Sequence, residues 1–233
     1  MSALGVLCRK ELHATFTSPI AYAVATVFLL VTGYTFSLTL FFTKVANLTY
    51  IFHQMYVLMV LLTPVLTMRA FAEERRTDTL ELLLTAPVPT VAIVLAKFLS
   101  SLALLSAMLV ASLAYPLVLG LYGYPDWAPI YGGYLALLLL SCLLVSVGML
   151  TSSLTENQVV AAAASLGIFL MLWFADSAAY LMPQPLDVFC LNLSLIGHFT
   201  TFVRGSLFLS DAGYYLTLSI LALFVTVRAL ADR

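Results

Sequence analysis

Charge is scarce in this chain of 233 residues: Asp, Glu, Lys and Arg make up 9% of it and hydrophobic residues 63%. Soluble domains use about 25% charged and about 45–50% apolar residues. With a mean hydropathy of +1.07, the composition excludes a soluble globular domain. The 10 basic residues against 11 acidic ones are spread over short segments, so no face can track a nucleic-acid backbone. Cysteine is nearly absent. Cys8, Cys142 and Cys190 stand far apart and supply neither a disulfide framework nor a Cys-rich metal site. His13, His53 and His198 have no cysteine or carboxylate at ligand spacing, so no metal site is expected. G-x-S-x-G and H-E-x-x-H are missing, which argues against a membrane protease. The phosphate loop G-x-x-x-x-G-K-[ST] is missing as well, so the chain has no means of its own to bind and hydrolyse ATP in the usual way.

What the sequence has in quantity is long apolar runs. A helix needs about 20 mostly apolar residues to cross a hydrocarbon layer about 30 Å thick. Six stretches approach that length: Ile20 to Phe42, Ile51 to Thr67, Phe98 to Leu119, Ile130 to Leu150, Val159 to Met182 and Ala212 to Ala231. The third and fourth carry no charge. Arg228 interrupts the sixth, close enough to its end for the guanidinium to reach the interface. Runs such as Leu135 to Leu140 lack the alternation of a membrane β-barrel. The first apolar run is too long for a signal-peptide core and has no small-residue cleavage site after it, so it is expected to remain in the mature chain. The expected fold is therefore an all-α membrane protein with six transmembrane helices.

Across six spans, Arg9, Lys10, Arg69, Arg75, Arg76, Lys97, Arg228 and Arg233 fall on one face, and only Lys44 and Arg204 on the other. The positive-inside rule places the first face, with both termini, in the cytoplasm. Ahead of the first span, Leu4, Leu7, Cys8, Leu12 and Phe16 share one helical side and Arg9, Lys10 and His13 another, the pattern of an amphipathic helix in the interface. It should stop at Ser18, because Pro19 disfavours helix in the residue before it and suits the first position of a new one. This divides the chain into an interface helix, 1–18, and a six-helix domain, 19–233.

Two connections are long. The outer one, Pro183 to Asp211, contains the apolar stretch Val188 to Val203, too short to span comfortably and too apolar for a solvated loop. A pair of short re-entrant helices and a helix lying on the lipid both fit it. The inner one holds the densest polar chemistry, Met68-Arg-Ala-Phe-Ala-Glu-Glu-Arg-Arg-Thr-Asp-Thr-Leu-Glu-Leu-Leu-Leu-Thr-Ala-Pro-Val-Pro89. Asp78 with Glu81 three residues on forms a capping-box pattern, and Pro87 and Pro89 stop a helix after Leu84 to Ala86. So short a helix with Leu80, Leu82, Leu83 and Leu84 is marginal alone in water and must dock on its own bundle, its own bilayer or a separate protein.

The run from Leu66 to Val88 resembles the segment between the second and third spans of ABC-2 type permeases, in particular the gliding-motility-associated (GldF-like) ones. Arg9-Lys-Glu-Leu12 followed by Ser18-Pro19 is similar to that family's N-terminal interface helix. The departure is Asp78, where the family pattern has Gly ahead of Thr79. The resemblance implies that the short helix is a coupling helix seated on a cytoplasmic ABC ATPase subunit, flanked by the N-terminal helix through Arg9, Lys10 and Glu11. Phe71, Glu73, Glu74, Arg75, Arg76, Asp78, Thr79, Leu80, Glu81, Leu82, Leu83 and Leu84 would form the contact, leucines as the apolar face and charges as the orienting rim. It further implies a second permease copy as partner and leaves room for a periplasmic auxiliary protein. ATP and magnesium would belong to the ATPase, with no cofactor bound by this chain, and the setting would be a bacterial inner membrane.

Asp176 is the one acid near a span; acids there mark transport paths or proton relays, although its place near the end of the fifth span also suits a solvated helix end. An ATPase-independent secondary transporter or channel would use it. Such proteins usually show half-repeats and several intramembrane polar groups, and neither is evident here. Glu156-Asn157-Gln158 fits the start of the fifth helix.

Overall fold

A computed structural model describes residues 3–43, 47–78, 88–123, 125–184 and 186–231. All its regular structure among these residues is helical: α1 Ala3–Thr17, α2 Pro19–Thr43, α3 Thr49–Thr67, α4 Ala72–Arg76, α5 Thr90–Ser112, α6 Ala114–Tyr122, α7 Trp127–Leu154, α8 Gln158–Ala179, α9 Leu186–Leu193, α10 Leu195–Val203 and α11 Leu209–Ala231. Among the described residues six segments are long and apolar enough to cross a membrane: Pro19–Phe42, Thr49–Arg76, Thr90–Leu121, Trp127–Leu154, Gln158–Ala179 and Leu209–Ala231. The expected break at Ser18-Pro19 is present, with Ser18 outside both helices and its carbonyl accepting from the Ala21 amide at 3.1 Å.

The third span departs from its expected bounds at both ends. Lys97, which limits the apolar run in sequence, lies inside α5, because carboxylates from two other helices compensate its charge. At the far end the helix breaks at Leu113. Pro116 has no amide to give the Ser112 carbonyl, and its ring crowds that carbonyl. The freed oxygen accepts instead from the Tyr134 hydroxyl of α7 at 2.9 Å.

Helix α7 is the axis of the bundle, packing on α3, α4, α5, α8, α10 and α11. Close approach is possible because it carries glycine where neighbours come nearest. A Cβ at Gly132 would strike the Phe202 backbone carbonyl of α10, and one at Gly148 would overlap the Thr67 hydroxyl of α3. Gly148→Val is expected to push α3 off α7 and cost about 1–3 kcal/mol or more, read as a lowered melting temperature in detergent.

The apolar stretch in the long outer connection forms two short helices, α9 and α10, bent by 60°. Ser194 caps α10, its hydroxyl accepting from the Gly197 amide at 3.1 Å. Leu195, Phe199, Phe202 and Val203 of α10 are buried, and no residue of α9 is. At the start of the fifth span the cap is Asn157, whose side-chain oxygen accepts from the Val159 amide at 2.9 Å. Arg228 ends the sixth span in the last turn of α11, its guanidinium 5.5 Å from the Phe224 ring centroid.

Candidate functional site

Where α3 ends, the chain turns through Met68 to Phe71 and enters the five-residue helix α4. The turn is held by one hydroxyl from α7. Ser152 donates to the Met68 carbonyl at 3.0 Å and accepts from the Phe71 and Ala72 amides, each at 3.0 Å. That uses its one proton and both lone pairs. Phe71 and Ser152 are fully buried. Ser152→Ala would strand two amides and a carbonyl at a cost of about 1–3 kcal/mol per buried group left unpaired. The expected result is a lower melting temperature and faster proteolysis after Arg75 or Arg76.

Helix α4 carries Glu73 and Glu74 in its first turn and Arg75 and Arg76 in its last, the order that complements a helix dipole. Asp78 does not have the extended-type backbone of a helix N-cap. Its φ is +55°, and its amide bonds back to the Arg75 carbonyl at 3.1 Å, so it ends α4 as a left-handed terminator. That conformation costs glycine nothing and aspartate little, which gives a backbone reason for the Gly of the family pattern.

Lys97 sits at the centre of this end of the bundle, 7% exposed. Its ammonium donates to Glu74 Oε1 at 2.7 Å, lies 3.5 Å from Glu11 Oε2 and stands 5.4 Å from the centroid of the Phe71 ring. One lysine of α5 thus ties α1 to α4 over a ring that Ser152 of α7 locks in place. On the rim, Arg69 and Glu73 approach to 3.9 Å with both side chains nearly half exposed, a pair of little energetic weight. A cleft of about 300 Å³ opens beside the cluster between α1, α2, α5 and the α3–α4 turn.

Of the residues singled out in sequence, Phe71, Glu74 and Glu11 converge here on Lys97, and Glu73 stands on the rim. Arg9, Lys10, Arg76 and Asp78 are exposed, and Arg75 is half-buried. Thr79, Leu80, Glu81, Leu82, Leu83 and Leu84, the body of the expected coupling helix, lie outside the described residues. Asp176 is half-buried in the last turns of α8, at the other end of that helix from Asn157, with no side-chain hydrogen bond or ion pair among the described residues. Sequence reasoning missed Lys97 as a centre and Ser152 altogether. The available signals were a lysine inside an otherwise apolar helix and the polar run Thr151-Ser152-Ser153 at the end of the most apolar one.

At the opposite end of the bundle His198 of α10 makes a second polar clasp. Its Nδ1 is 2.8 Å from Asp211 Oδ1 of α11, its Nε2 is 3.1 Å from the Asn192 carbonyl of α9, and its ring stacks on Tyr214 at 4.2 Å. The clasp joins three helices. Among the described residues no group of three or more His, Cys, Asp or Glu side chains is placed to hold a metal ion.

Residues 31–230 match the sequence profile of the family described as ABC-2 family transporter protein. No curated protein matches the chain.

Proposed function

The chain belongs to the ABC-2 transporter family, and on that footing we propose that it is the transmembrane permease subunit of an ATP-driven exporter. ATP would be hydrolysed by a separate cytoplasmic ABC ATPase that holds the ATP and magnesium. The observation that carries this reading is the family match across residues 31–230, which takes in the second to fifth spans whole, the sixth up to its last residue and the second half of the first. The Lys97 cluster supports it at the level of mechanism. A push on the segment that follows α4 meets a turn bonded to α7 through Ser152 and an ion cluster bonded to α1 and α5. Force applied there reaches three helices at once and is not lost in a loose loop.

In this reading the Lys97 end faces the cytoplasm of a bacterial inner membrane, as the distribution of cations favours. Leu80 to Leu84 dock on the ATPase, with Glu73, Arg75, Arg76 and Glu81 as the orienting rim and Arg9 and Lys10 flanking them. Two copies of the chain pair to form the path, since six helices with so few intramembrane polar groups have little with which to line a pore alone. The resemblance of the 66–88 segment to the gliding-motility-associated permeases supports either export or force transmission to a periplasmic partner as the output. Among the described residues, no contact of Asp176 favours the secondary-transporter reading.

The test is purification of the tagged chain from native membranes in mild detergent, with the accompanying chains identified. A stoichiometric ATP-binding subunit is expected. Recovery of the permease alone, without ATP hydrolysis, would contradict the proposal.

A further inference from the structure

The cleft beside Lys97 does not end in the polar layer. It shares Ala21 and Leu104 with a second cavity of about 170 Å³, which is lined by aliphatic and aromatic side chains, among them Ala25, Ala107, Met108 and Ala111. Helix α5 orders the two along one line. Lys97 and Ser101 face the polar cleft, Leu104 stands at the junction, and Ala107, Met108 and Ala111 face the apolar groove. From Leu104 to Ala111 the helix rises about 10 Å. The groove is shallow because alanines stand on both walls, Ala21 and Ala25 on α2 and Ala107 and Ala111 on α5. Phe16 and Tyr22 stand partly or well exposed at its edge. A polar chamber at the interface that continues into an apolar slot along the spans has the shape of a lipid, headgroup below and acyl chain above.

Charge selects the headgroup. The cleft is lined by three acids, Glu11, Glu73 and Glu74, and two bases, Arg69 and Lys97. Lys97 is held by carboxylates, whereas the Arg69 side chain is nearly half exposed and comes no closer than 3.9 Å to Glu73. The Thr15 and Ser18 side-chain hydroxyls, which also line the cleft, make no hydrogen bond among the described residues. A phosphate fits the Arg69 guanidinium with these hydroxyls as further donors, and an ammonium fits the surplus carboxylate at Glu73 and Glu11. An anionic headgroup would add negative charge to a cleft already net negative; a zwitterion adds none. The geometry points to a built site for one aminophospholipid of the phosphatidylethanolamine class, headgroup in the Lys97 cleft and one acyl chain along Ala25, Ala107 and Ala111. The inference stands apart from the ATPase reading, because it concerns only the cleft and the groove.

Native mass spectrometry of the full chain in mild detergent, titrated with phosphatidylethanolamine and with phosphatidylglycerol of the same acyl chains, tests it. One saturable phosphatidylethanolamine is expected per chain, bound at least tenfold more tightly than phosphatidylglycerol. Ala107→Trp, which fills the groove, should lower that affinity at least tenfold. Arg69→Gln, at a half-exposed position that does not threaten the fold, should lower it at least fivefold. Equal or tighter binding of phosphatidylglycerol, the absence of a saturable first lipid, or wild-type affinity in Arg69→Gln would each overturn the assignment.

Discussion

Lys97→Met is expected to cost about 3 kcal/mol and to loosen α1 from α5, because it removes a buried cation from two partly buried carboxylates while nearly keeping the side-chain length. Glu11 and Glu74 would then both lose the ammonium that they share. Methionine packs on the ring as well as the lysine stem does, so the loss isolates the charge. The measurement is the melting temperature in detergent together with proteolysis of residues 3–17. The second arm is Lys97→Met with Glu74→Gln, which should recover a substantial part of the loss, since only one partly buried carboxylate of the cluster, Glu11, then remains. Equal stability of Lys97→Met and the parent would show that the cluster contributes nothing to the bundle.

The other large effect concerns the segment after α4. Leu82→Glu with Leu83→Glu should reduce the amount of co-purifying ATP-binding subunit by about two to three orders of magnitude, because two apolar anchors of about 2 kcal/mol each are replaced by charges that must stay in water. Membrane insertion should not change, since both residues lie in sequence between the second span, which ends at Arg76, and the third, which starts at Thr90. Wild-type amounts of ATPase on this variant would remove the docking role from these leucines.

The two variants divide the account at the boundary between what the sequence shows and what it hides. Local signals were legible. Pro19 ends α1 and starts α2, Asn157 lies in the tripeptide expected to open the fifth helix, and the apolar stretch between the fifth and sixth spans is a pair of short helices. Each follows from backbone chemistry or hydropathy within a few residues. Pro116 was equally visible, yet its effect on the third span was not anticipated, because an unbroken apolar run masks a helix break whose freed carbonyl is satisfied by Tyr134 from another span. Asp78 was misplaced for a related reason. A capping box and a left-handed terminator share the same small polar residue, and only the backbone angle tells them apart.

The candidate site was half legible. Phe71, Glu74 and Glu11 stood out within charged segments, but the residue that unites them lies in α5 and reads in sequence as one more cation flanking a span. Long-range pairing of single charges leaves no periodic trace. Ser152 was hidden for the same reason, being one hydroxyl among several in an apolar helix until the chain turn it bonds is known. The clasp of His198 with Asp211 likewise joins residues 13 positions apart on different helices.

The central claim is that ATP-driven motion enters the bundle through the segment that follows α4. A photo-crosslinking amino acid placed at Leu83, and in a separate variant at Leu207 at the opposite end, tests it most directly in native membranes. The account predicts a crosslink to an ATP-binding subunit from position 83 and none from position 207. Capture of that subunit from 207 with none from 83, or from neither position, would contradict it.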